Sequence, residues 1–137
     1  MDPKLKAVYE RMYAREMAAR AIIFRQYPSF VASWTPDPLG KAIPASVVHR
    51  WWREQSVFAF RHEGHYYFPT FQFANGAPKS FIRRLLILVQ PKDGWHSMFW
   101  FVGANAWLED GSPVDFLDSD PAAVIEAACH ANDEISD

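Results

Sequence analysis

Between Pro3 and Pro28 the chain has neither glycine nor proline, and then Pro28, Pro36, Pro38, Gly40 and Pro44 fall close together. This uneven spacing of helix breakers partitions the chain before any other feature does. Over residues 3 to 26, Leu5, Val8, Met12, Ala19 and Ile22 or Ile23 recur at helical spacing opposite Arg11, Arg15 and Glu16. The pattern predicts a long amphipathic helix that ends near Tyr27-Pro28, because a residue before proline is pushed out of the α region. Residues 28 to 45 read as a connection with at most a short helix around Ser29 to Trp34.

At 137 residues, 50% apolar and 22% charged, the chain can offset its conformational entropy by burial, so disorder is excluded and one domain, or two small lobes sharing a core, is expected. The longest nearly unbroken apolar run, Met98 to Leu108, is interrupted by Asn105 and is far shorter than the roughly 20 residues a membrane helix needs. The first 25 residues mix basic and acidic side chains with no apolar core of a secretory signal. Cys129 is alone, so no intrachain disulfide forms, and a cytoplasmic location is expected.

Charge is segregated along the chain. Residues 1 to 95 carry all 14 Lys and Arg with 7 Asp and Glu, whereas residues 96 to 137 carry 9 acids and no Lys or Arg. A basic half is a candidate nucleic-acid surface and an acidic end a candidate for a basic partner; two lobes attracting one another would produce the same pattern.

From Ser46 to Glu54 the sequence predicts a short helix, capped by Ser46, with Val48, Trp51 and Trp52 inward and His49, Arg50 and Arg53 outward. Extended segments Val57 to Arg61 and His65 to Phe68 follow, around a break at His62-Glu63-Gly64, a hairpin signal. Asn75-Gly76 marks a further turn. Phe81 to Val89 and His96 to Phe101 predict two apolar helices, Ser112-Pro113-Val114-Asp115 resembles a capping box, and Asp120-Pro121 starts a last helix. Together these predict a helical bundle over about 79 to 134. The expected fold class is mainly α with a small β-hairpin: a degenerate winged helix-turn-helix region over 1–74 and an acidic helical domain over 75–137.

Enzyme chemistry finds little support. His62 and His65 become cross-strand neighbours if Glu63-Gly64 is a two-residue turn, but two imidazoles do not complete a zinc site. There is no Gly-x-Ser-x-Gly elbow and no phosphate-cradling glycine motif, and Cys129 in its apolar helical stretch is expected to be a buried, inert thiol. No enzyme, no metal and no cofactor is expected. The helix followed at once by a hairpin has the order of a recognition helix and its wing, which makes His49, Arg50, Arg53, Arg61 and His62 the candidate DNA-binding residues. Asp133, Glu134 and Asp137 sit where a helix C-terminus disfavours acids, so a basic partner is one explanation for them and a solvated tail the other. Trp95, Phe99, Trp100 and Trp107 suggest an aromatic surface that pairs with a second copy.

Two stretches resemble the Xre/MbcA/ParS-type antitoxins. Phe60-Arg61-His62-Glu63-Gly64-His65-Tyr66-Tyr67-Phe68-Pro69-Thr70-Phe71-Gln72-Phe73 is similar to that family's wing and its Phe-Pro-x-x-Gln-Phe segment. Trp100-Phe101, Asn105, Leu108, Gly111, Pro113 and Leu117, followed by Asp120-Pro121, Val124 and Ala127-Ala128, is similar to its toxin-binding domain. Leu39-Gly40 matches the end of the first helix of the helix-turn-helix. The resemblance implies an antitoxin that sequesters a RES-type, NAD-degrading toxin and, as a homodimer, represses its own operon on operator DNA. Under that reading Asp115, Asp118, Glu126, Asp133 and Glu134 are the candidate toxin contacts, with Trp107 and Leu108 assigned to the core. A stand-alone DNA-binding transcription regulator is the alternative.

Overall fold

The computed structural model describes residues 1–32 and 43–133, in a mixed α/β arrangement of short antiparallel strands and a cluster of C-terminal helices. Helix α1 spans Pro3–Gln26; Asp2 caps it by accepting from the Lys4 N–H at 2.9 Å, and it stops where Tyr27 turns extended ahead of Pro28. The helix forms as its sequence predicts, yet none of its residues is buried, and its apolar contacts with the core come from Ile23 and Phe24 near its end, with Tyr27 just beyond.

The stretch expected to hold a short helix forms strand β1, Ser29–Val31, instead; Trp34, Leu39 and Gly40 lie outside the described residues. Three residues after a proline carry little strand signal of their own, and it is pairing with a later segment that makes them a strand. Helix α2 follows at Ala45–Arg53, with Pro44 rather than Ser46 at the cap position and no capping side chain. Strands β2, Phe60–His62, and β3, His65–Pro69, make the expected hairpin, and Glu63 (φ 49°) and Gly64 (φ 82°) form a two-residue turn of the kind that matches strand twist. The sheet order is β1-β3-β2, with Phe30 opposite Phe68, Arg61 opposite Tyr66 and His62 opposite His65. Asn75-Gly76 joins β4, Phe73–Ala74, to β5, Ala77–Pro78.

The C-terminal helices are α3, Ile82–Val89, α4, Gly94–Val102, α5, Pro113–Phe116, and α6, Pro121–Cys129. Asp120 caps α6 as expected, accepting from the Ala123 N–H. Ser112 does not close the capping box: its Oγ donates to the Val102 carbonyl at 2.8 Å, tying α5 to the end of α4. Cys129 is exposed rather than buried, because Val124, Ala127 and Ala128 define the inward face of α6 and Cys129 falls off it. Asn132 Nδ2 reaches back to donate twice, to the carbonyls of Leu88 and Val89 at the end of α3.

Two groups of buried side chains hold these elements. One joins Phe58 and Phe60 to Ile82, Leu85, Trp95, Met98, Phe101, Leu117 and Val124; the other sets Val48 against Val57, Ala59, Phe68 and Phe73 under Trp51 and Trp52. Phe58 stacks on Phe101 at 5.4 Å, and the Trp95 indole N–H donates to the Arg61 carbonyl at 2.7 Å, so the hairpin sits directly on α4. Among the described residues no helix is long and apolar enough to cross a membrane.

Candidate partner-binding surfaces

Helix α2 buries Val48 and lays Trp51 and Trp52 over Phe73 and Phe68, at centroid distances of 6.0 and 5.5 Å, which leaves His49, Arg50 and Arg53 exposed. Arg50 lies 4.0 Å from Glu54, an exposed contact that restrains it little. On the hairpin, side chains alternate between the two faces of the sheet. Arg61 is paired with Tyr66, whose ring meets Trp52 at 5.0 Å, so its position is on the α2 side. His62 is on the opposite side, stacked on Phe24 of α1 at 4.0 Å. The structure therefore sets Arg61 on the same face of the sheet as His49 of α2, whose exposed side also carries Arg50 and Arg53, and puts His62 on the other face. His62 and His65 are cross-strand partners, and among the described residues no group of three or more His, Cys, Asp or Glu is placed to hold a metal ion.

The acidic candidates divide into three places. Asp115 is exposed on α5 near Tyr27, whose phenol is held above its ordinary pKa first by burial and then by the Asp115 charge. Asp118 is tied to Lys79, with Oδ1 2.8 Å from Nζ. Glu126 is exposed on α6, and Asp133 beyond it approaches His130 Nδ1 at 2.6 Å. Glu134 lies outside the described residues.

The sequence reading missed a loop that gives two of these acids a context. Asn105 organises residues 105–111: its Oδ1 accepts from the Trp107 N–H, its carbonyl accepts from the Leu108 and Asp110 N–H groups, and its own N–H donates to the Gly111 carbonyl. Leu108 is buried, as expected, but Trp107 is 55% exposed rather than core. One 3₁₀ turn, Ala106–Leu108, explains the difference, since adjacent residues in it point apart and only Leu108 meets the helices below. The Trp107 indole lies flat on the His130 ring, 3.6 Å between centroids and 10° between planes. Glu109 (φ 54°) and Asp110 (φ 65°) are consecutive left-handed residues, a strained pair without glycine. The result is an exposed Trp107 ring stacked on a half-buried His130 that is bonded in turn to the exposed Asp133, with Glu109 and Asp110 on the adjoining turn and Glu126 one helical turn from His130. The Asn-x-x-Leu spacing was the available signal.

Comparison with protein-family models, with curated proteins and with solved structures finds no match. The chemistry of these surfaces thus carries the functional reading. An exposed indole already fixed by an imidazole loses little conformational freedom on binding, and carboxylates around it favour a basic counterpart. Of the four aromatics that suggested self-association, Trp95 is buried and Phe99 and Trp100 are half-buried, leaving only Trp107 open.

Proposed function

We propose that this chain is a cytoplasmic, antitoxin-like binding protein that neutralises a RES-type, NAD-degrading toxin, acting by occlusion rather than catalysis. The Trp107-His130-Asp133 stack, rimmed by Glu109, Asp110 and Glu126, carries the reading. An enzyme that takes an anionic dinucleotide needs a positively charged entrance, and this surface offers that entrance carboxylates for charge and an aromatic anchor for affinity. Asp115 and Asp118 lie apart from the anchor and are rim contacts in this scheme. Co-expression with the RES-like protein of a neighbouring reading frame tests it. Trp107→Ala should weaken capture by about 30-fold or more, the range of an interfacial tryptophan anchor, and Asp133→Lys should slow association. Unchanged capture by both variants, or no capture by the wild type, would remove the proposal.

A second reading, DNA binding through a degenerate winged helix, is favoured by the common exposure of His49, Arg50 and Arg53 on α2 beside Arg61 on the hairpin. Affinity for the chain's own upstream DNA should fall steeply with salt, and Arg50→Ala or Arg53→Ala should each lower the slope of log affinity against log salt by about 1 if it meets a phosphate. No shift of any upstream fragment at low salt would end this reading.

A further inference from the structure

Six of the eleven large apolar residues exposed on the described surface belong to α1, Leu5, Val8, Tyr9, Met12, Tyr13 and Ile22, and a seventh, Met1, lies just ahead of it. The helix is fastened to the body only near its end. Arg20 lies over the Trp95 ring at 5.0 Å, Phe24 stacks on His62, and Ile23 and Tyr27 join the core. Residues 3 to 16 are all exposed but Ala7, which is only half-buried. A helical arm of that length is marginal in water without cover.

We propose that the cover is the α1 of a second copy, paired in parallel as a short two-stranded coiled coil. Leu5, Val8, Met12, Arg15, Ala19 and Ile22 recur in alternating steps of three and four, the spacing of a coiled-coil seam. Of the residues that meet the chain's own body, Arg20, Phe24 and Tyr27 fall at the outer positions of that heptad and Ile23 at a position flanking the seam, so each body sits to the side of the seam. In-register parallel pairing places Arg11 of each copy beside Glu16 of the other across the seam, two opposite-charge contacts. Antiparallel pairing loses these contacts and drives each helix tip toward the other body. Arg15 is the polar seam position, a device that fixes register and costs stability. The seam covers only about two and a half heptads, so association is expected to be of micromolar strength.

Sedimentation equilibrium on the full chain, without any partner, tests the proposal. The wild type should move from one chain toward two between about 1 and 200 μM. Met12→Glu should remain a monomer throughout that range with an unchanged thermal midpoint of the body, and Arg15→Leu should tighten the dimer at least 10-fold. A wild type that stays monomeric, a Met12→Glu variant that still dimerises, or an Arg15→Leu variant that associates no better would each overturn it. Because no toxin or DNA is present, failure here leaves the neutralisation test unaffected.

Discussion

Gly94→Ala is expected to unfold the protein or to lower its stability by about 3 kcal/mol or more, read as a fall in the urea midpoint by circular dichroism. Gly94 opens α4 where the helix comes down on the hairpin, and a Cβ there would lie 1.9 Å from the Ala59 carbonyl oxygen and 2.7 Å from the Phe60 Cα. Both are backbone atoms flanking the central core, so neither can swing aside as a side chain tip would. Relief requires moving α4 off the strand, which opens the contacts of Trp95 with Phe60 and its hydrogen bond to Arg61. Gly64→Asn is the control: its φ of 82° suits asparagine better than most residues, and nothing stands within 4 Å of the new Cβ. A Gly94→Ala variant with a wild-type midpoint would show that helix and strand are not in this contact.

Gln72→Leu should cost about 3 kcal/mol, although it swaps one long side chain for another of similar size. Gln72 is fully buried, and its amide serves the Val57 to Ala59 stretch, which pairs with no strand among the described residues. Oε1 accepts from the Phe58 N–H at 2.7 Å, while Nε2 donates to the Phe58 carbonyl at 2.9 Å and to the Pro69 carbonyl at 3.3 Å. Leucine would leave those backbone groups unsatisfied among phenylalanines. Gln72→Glu should be worse at neutral pH and recover on acidification. A buried carboxylate has its folded pKa raised above the unfolded value, so the penalty is greatest at high pH and shrinks as pH falls through the raised folded value toward the unfolded one. Equal stability of Gln72→Glu at pH 7 and pH 5 would contradict this account.

Gln72 also shows what the sequence could and could not disclose. It belongs to the Phe-Pro-x-x-Gln-Phe segment that resembled a family motif, but only the fold reveals that the glutamine stands in for a missing strand. Local signals were sufficient where the cause was local: the Glu63-Gly64 and Asn75-Gly76 turns, the Asp120 cap, and the division of α2 into apolar and basic sides. They failed where a distant segment decided the outcome. β1 exists because β3 pairs with it, Ser112 turns from its own helix to Val102, and the stripe on α1 was readable as apolar without any sign that this chain would leave it uncovered. Trp107 was misplaced for a subtler reason: a single 3₁₀ turn changes which of two adjacent apolar residues goes inside, and no periodicity specifies it. The acidic candidates were legible as charges, but their division among Tyr27, Lys79 and His130 was not.

The strand order β1-β3-β2 has a kinetic side. β1 leaves the ribosome ahead of the hairpin it must join, and its partners, Ser29 with Pro69 and Val31 with Tyr67, are separated by most of the N-terminal half of the chain. The hairpin closes locally within microseconds, whereas adding β1 requires a much longer loop to close and so comes later. Because β1 follows α1 after only Tyr27 and Pro28, the same event brings Phe24 onto His62 and anchors the helix. Sheet completion and helix anchoring should therefore appear as one kinetic phase, with a nascent chain cut before Tyr67 holding α1 adrift.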